Sequence, residues 1–176
     1  MTREREVHCY DYVNRPYLTV RDALAKDPQG IFQRATVTTA ARASAIGAEL
    51  HVAIGPVAVS AEIDIAIISV DDATELGQPA TRLVLEWSAK HRAAMFPTMR
   101  ATLSIYALSP TETQLDLLGT YDPPLGIVGD AIDKVILHRI AQASAHHFVR
   151  DVSVYLRDEL PQTPGPGATW PLEPTD

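Results

Sequence analysis

At 176 residues the chain has the length of one domain, enough to bury roughly two thirds of the surface its unfolded form exposes. An apolar fraction of 46% and a charged fraction of 21% are ordinary for a globular protein, and a formal charge of -7 argues against nucleic acid or anionic membrane surfaces as partners. No segment approaches 18 consecutive apolar residues, and no apolar stretch follows the charged N-terminus, so the expectation is a cytoplasmic protein without membrane insertion.

The single cysteine, Cys9, has no partner for an internal disulfide, which agrees with a reducing compartment. Residues 4–12 are rich in Val, Tyr and Cys without Gly or Pro, and predict a first strand with Cys9 buried in it. Asn14 as cap and Pro16 as first residue predict a short helix whose Tyr17, Val20 and Leu24 share one face. Asp27 and Pro28 begin a second, with Ile31 and Phe32 as its apolar contacts. Residues 36–45 fit neither loop nor helix decisively and stay unassigned.

From Ile46 the pattern has period two. Ala48, Leu50, Val52 and Ile54 alternate with Glu49 and His51, Gly55-Pro56 turns the chain, and Val57, Val59, Ala61, Ile63, Ile65 and Ile67 form the apolar side of a return strand ending at Asp71-Asp72. After a polar loop closed by Gly77-Gln78-Pro79, one strand sets Leu83, Leu85 and Trp87 to one side, and the next does the same with Met99, Ala101, Leu103 and Ile105. Ser109-Pro110-Thr111-Glu112 makes a turn, and the last strand runs from Thr113 to Tyr121. Six strands joined by short turns give an antiparallel meander with one apolar face that needs a cover. Glu62, Glu86 and Arg100 fall on the wet face, as cross-strand charges.

The cover is the stretch beyond Pro123-Pro124, which predicts one helix from Gly129 to Leu160, about 45 Å long. Leu137, Ala141, Ala145, Phe148, Val152, Tyr155 and Leu156 form one stripe along it. Ile132, Ile136, Ile140 and Ala143 make a second apolar patch in its first half, to be covered by the short helices, a partner subunit or a kink. Asp130, Lys134, His138 and the small Ala141 leave the sheet side of that half thinly filled, so the core is expected to be solid at the helix's C-terminal end and hollow at the other. The tail after Leu160 has five prolines in sixteen residues and is expected to be disordered, with Trp170 as the residue able to dock, so residues 1–160 form the single domain.

The order strand, two short helices, antiparallel strands and long C-terminal helix resembles the α+β helix-grip fold of the START-like (SRPBCC) superfamily, which includes birch-allergen-like proteins and polyketide cyclases and aromatases. Leu117-Leu-Gly-Thr-Tyr-Asp-Pro-Pro-Leu-Gly126, Asp133, Leu137-His-Arg-Ile-Ala141 and Phe148 resemble a group of uncharacterised bacterial members, as does Leu85-Glu-Trp87 with Phe96-Pro97. Relatives with seven strands are common, so a short strand near residues 89–96 is either hidden or missing. The resemblance implies a cavity between sheet and helix for an apolar ligand, sometimes used for catalysis.

The expected ligand is an apolar or aromatic small molecule, lipid-like or polyketide-like. Val59, Ile63, Leu85, Trp87, Met99, Ala101, Leu103 and Ala141 would line its site, with Tyr121, Lys134 and His138 supplying polarity. Two alternatives stand beside this reading. One is a polyketide cyclase or aromatase in which Tyr121 and His138 move protons, and the other is a non-enzymatic module using the second helix patch as a homodimer interface. No cofactor is called for, and His147 and Asp151, at i and i+4, lack a third residue with metal-ligand spacing. Cys9 has only His8 as a neighbouring base, and there is no Gly-x-Ser-x-Gly stretch, so nucleophilic catalysis is not expected.

Overall fold

The computed structural model describes residues 5–36, 48–54, 57–89, 98–122 and 134–162. Strand β1 (Arg5–Val13) leads into helices α1 (Tyr17–Lys26) and α2 (Pro28–Thr36). Strands β2 (Ala48–Ile54), β3 (Val57–Glu75), β4 (Gln78–Ala89), β5 (Thr98–Ser109) and β6 (Glu112–Asp122) follow, and α3 (Lys134–Glu159) closes the described order. Thr36 of the unassigned stretch ends α2, whereas residues 37–45, the Pro123-Pro124 turn, residues 90–96, where a seventh strand is either hidden or missing, and the tail from residue 163 with Trp170 lie outside the described residues.

The six strands form one antiparallel sheet in the order β1-β6-β5-β4-β3-β2. From β2 to β6 it is a meander, whereas β1 pairs with the last strand, Cys9 opposite Leu117 and Val13 opposite Thr113. The closest backbone neighbours of α3 are β1, α2, β2 and β6. A helix near both edge strands at once requires a sheet curled around it. A register shift between Ile67 and Ser69 contributes to that bend, since the extra residue on one strand increases local twist.

Alternation in β4 and β5 is as expected: Leu83, Leu85, Trp87, Met99, Ala101, Leu103 and Ile105 are all buried. On the other face Arg100 Nη2 meets Glu86 Oε2 at 3.1 Å, a cross-strand pair in register. Two expectations here are corrected. β3 continues through Asp71-Asp72 to Glu75, and the polar loop reduces to a tight turn at Leu76-Gly77, with φ of 50° and 77°. Residues 71–75 carry no apolar alternation because they project beyond the core, and they are held by the ladder to Gln78–Arg82 and by Arg82 Nε on Glu75 Oε1 at 3.0 Å.

Asn14 does not cap α1. Pro16 occupies that position without any side-chain cap, and Asn14 accepts instead from Arg15 Nη1 through its carbonyl and Oδ1. Asp27 does cap α2: its Oδ1 accepts from the Gly30 N–H at 2.9 Å and its Oδ2 from Arg34 Nη2 at 2.9 Å. Both helices bury the face expected, Val20 and Leu24 in α1 and Ile31 and Phe32 in α2.

Helix α3 spans 26 residues, about 39 Å, and ends at Glu159; of the predicted start, residues 129–133 lie outside the described part. Ala141, Ala145, Phe148, Val152 and Leu156 are 0–1% exposed and Tyr155 is half-buried against them. Two residues of the second apolar patch have described side chains. Ile140 is buried within the chain itself and Ala143 packs half-buried on the core, where α2 and β2 lie alongside α3. The side chains of Ile132 and Ile136 lie outside the described residues.

The C-terminal end of α3 is closed by a residue that reads from sequence as an ordinary surface cation. Arg15 is 4% exposed, donates through Nε to the Leu160 carbonyl at 2.9 Å and through Nη2 to the Arg157 carbonyl. Its own carbonyl accepts from Thr113 Oγ1 at 2.8 Å. The guanidinium thus satisfies orphan carbonyls at a helix C-terminus and joins that end to β1 and β6.

Candidate functional site

Successive buried rows cross the inner face of the sheet. Trp87, Met99 and Tyr121 are register partners in the first, with Ile65 opposite Trp87. Leu85, Ala101, Gly119 and Val7 make the second, and Leu83, Leu103, Leu117 and Cys9 the third. The second row is shallow at its centre. A Cβ added at Gly119 would stand 3.1 Å from Met99 Sδ and 3.2 Å from Ala101 Cβ, so the missing side chain is what lets Met99 lie across the strand.

The first row ends in polar chemistry. Tyr121 is 1% exposed, and its hydroxyl shares a 3.1 Å hydrogen bond with Nδ1 of the half-buried His138, the two rings stacked with centroids 6.1 Å apart and planes 25° from parallel. β6 brings Tyr121 to the end of the sheet, and the first turns of α3 bring His138 over it. One turn further on, the fully buried Ala141 presents only a methyl group. Beyond it an aromatic cluster fills the space, with Trp87 and Phe148 ring centroids 5.2 Å apart and Phe148 and Phe32 5.3 Å apart, edge to face. The centroid distances place solid packing from Phe148 towards the C-terminus of α3, where Val152 and Leu156 continue it.

Of the residues named from sequence, Trp87, Met99, Tyr121 and His138 therefore converge at one end of the sheet, Leu85 and Ala101 lie one row in, and Leu103 two rows in, inside packed core. Ile63 is placed by register opposite Ala89 and Ala48, and Val59 opposite Val52. The side chains of Val59, Ile63 and Lys134 lie outside the described residues. Sequence reasoning did not put Val7, Gly119 or Phe32 beside this group. Their periodicity marks them as buried, but nothing local says that β1 pairs with β6 or that α2 reaches Phe148.

Cys9 offers no nucleophile. Burial, and then the nearby Asp116 carboxylate, push its thiol from 9.0 up to about 12, so the thiolate is scarce at neutral pH. Among the described residues no group of three or more His, Cys, Asp or Glu is arranged to hold a metal ion. No helix among them is long and apolar enough to cross a membrane.

The chain order of the elements, the pairing of the first strand with the last and the contact of α3 with both sheet edges settle the architecture. It is a helix-grip fold. No protein-family model and no curated protein sequence matches the chain. Solved structures with a similar course include a conserved protein from Geobacillus kaustophilus, 14% identical, with a TM-score of 0.48 over 89% of this chain and 97% of that one. Ara h 8.0201 is 12% identical, with a TM-score of 0.46 over 89% of this chain and 99% of its own. The Zhui aromatase/cyclase from Streptomyces sp. R1128 is 13% identical, with a TM-score of 0.41 over 86% and 93% of the two chains. Likenesses this distant concern the path of the chain and leave its ligand and chemistry open.

Proposed function

We propose that the chain binds an apolar or aromatic small molecule between the Trp87–Met99–Tyr121 row and the N-terminal half of α3. The observation that carries this reading is the Tyr121–His138 pair: a buried hydroxyl and a half-buried imidazole, joined to each other at the edge of an otherwise apolar wall. Mostly apolar walls with a few convergent polar groups are the general make-up of small-molecule sites, the walls supplying affinity and the polar atoms orientation. Leu85 and Ala101 form the floor one row in, and Ala141 leaves room opposite. Val59, Ile63 and Lys134 complete the proposed lining from β3 and the start of α3, and Leu103 backs it from the packed side. The sequence resemblance to START-like proteins supports the same place for a cavity.

The same hydrogen bond favours a second reading, an enzyme of the cyclase or aromatase kind. A phenol and an imidazole 3.1 Å apart can pass a proton between a bound carbonyl compound and the His138 imidazole by way of the Tyr121 hydroxyl, while the wall fixes the shape in which a reactive chain folds.

Titration with an apolar fluorescent probe separates these readings from a filled core. Saturable one-to-one binding is expected, with Tyr121→Phe leaving the affinity for a purely apolar probe within about twofold and weakening a carbonyl-bearing analogue by about tenfold, as loss of one buried hydrogen bond implies. A fluorescence rise that stays linear with probe concentration contradicts both. Where a turnover assay exists, the enzyme reading requires Tyr121→Phe to lower kcat while probe binding persists.

A further inference from the structure

On the outside of the grip, away from the Tyr121–His138 pair, a cleft of about 330 Å³ runs between edge strand β1 and α3, lined by Tyr10 and Asp11 from the strand and by His146, His147 and Arg150 from the helix. Its size lies within the range of about 300–1,000 Å³ usual for small-molecule sites. The lining sets one cation, Arg150, and two imidazoles beside one carboxylate, Asp11, in a chain that carries -7 as a whole. Asp11 is the single acidic residue of the lining, and both of its oxygens are engaged: Oδ1 accepts from the Tyr12 N–H at 2.7 Å and Oδ2 from Arg157 Nη2 at 3.2 Å.

Arg150 in the cleft and Arg139 outside it differ from most of the other arginines. Arg21, Arg34, Arg82, Arg100 and Arg157 each hold a carboxylate within 3.2 Å, and His8, the exposed strand residue before Tyr10, is held by Asp116 at 2.7 Å. Among the described residues Arg150 has no ion pair, is exposed, and shares its cleft with two imidazoles. Tyr10 is 64% exposed, its ring tilted 47° to that of His8 with centroids 6.4 Å apart, and it stands at the mouth of the cleft. The backbone adds a donor. The Tyr12 amide is turned to the Asp11 carboxylate, and by the period of a strand the Tyr10 amide points to the same open edge of β1.

We propose that this cleft is a second ligand site, taking a small carboxylate or phosphate carried on a flat ring, with the anion on Arg150 and the two histidines and the ring against Tyr10. A planar guanidinium binds carboxylate and phosphate oxygens two at a time, which gives direction as well as attraction. An exposed aromatic beside it adds stacking that an inorganic ion would not use.

The test is a titration of the full chain, with 13C-labelled histidine imidazoles, against 1-naphthoate, 1-naphthyl phosphate and the neutral 1-methoxynaphthalene at low ionic strength. Saturable shifts of the His146 and His147 signals are expected with both anions and not with the neutral ring. Arg150→Gln should weaken them at least about tenfold. Arg139→Gln, an exposed cation on the same flank of α3 but outside the cleft, should change them less than about twofold. Tyr10→Ala should weaken the naphthyl anions while sparing inorganic phosphate. Equal losses from Arg139→Gln and Arg150→Gln would reduce the effect to diffuse attraction and overturn the site, as would shifts that never saturate or that appear at His138 instead.

Discussion

Burial governs what single residues of this chain can do. The Cys9 thiol, raised from 9.0 to about 12, binds its proton more tightly in the folded chain than in the unfolded one. The stabilisation this represents is fully present below pH 9 and is lost as pH rises through about 12, at up to about 1.4 kcal/mol per pH unit. Urea unfolding of wild type and Cys9→Ala at pH 8 and pH 10.5 should show wild type losing more stability between the two; equal losses would mean that the thiol is not in a dry site. Alkylation by iodoacetamide at pH 8 should accordingly follow global unfolding and not occur from the native state. Sequence predicted a buried strand cysteine here. It did not reveal Asp116 as the neighbouring charge, because that residue belongs to β6, more than a hundred positions away. The Tyr121–His138 contact is similar: each residue reads as a polar group near the site, but they lie on β6 and α3, and no period along either element joins them.

Helices and turns show where local signals suffice. Asp27-Pro28 reads correctly as the start of α2 because the cap is made by neighbours in sequence. Arg15 is the opposite case, since charged residues are seldom buried and its partners, the carbonyls of Arg157 and Leu160, are some 140 positions away. Arg15→Ala should destabilise the chain by about 3 kcal/mol, measured by urea unfolding, because charge-assisted bonds are lost and helix-end carbonyls left buried. Arg15→Lys should recover only part, a single ammonium being unable to span both carbonyls. A loss below about 0.5 kcal/mol for Arg15→Ala would show that solvent caps α3 equally well. The β3–β4 turn carries the reverse expectation. Leu76 sits at φ 50° and is 79% exposed, so a β-carbon is forced into the left-handed region with nothing gained by packing. Leu76→Asn should raise stability by about 0.5–1 kcal/mol in the same assay. The sequence marked a turn there through Gly77 and missed its tightness, since residues 71–75 are polar on both faces and give no period to count.

Across the whole molecule, what was legible was what repeats. Period two in β3 to β6 and the stripe from Ala141 to Leu156 were enough to predict one curved sheet closed over one long helix. What did not repeat was hidden. The placement of β1 beside β6, and the bulge after Ile67, follow from closing the sheet around α3 and have no signature along the strand itself. The site inherits both situations, because its wall is periodic and its polar end is assembled from β6 and α3 across a connection. Native mass spectrometry of the chain purified from its own host tests the central claim most directly. The account predicts a one-to-one complex with an apolar or aromatic molecule of a few hundred daltons, released on denaturation. A spectrum of the bare chain alone, from protein that also shows no saturable binding of an apolar probe, would contradict it.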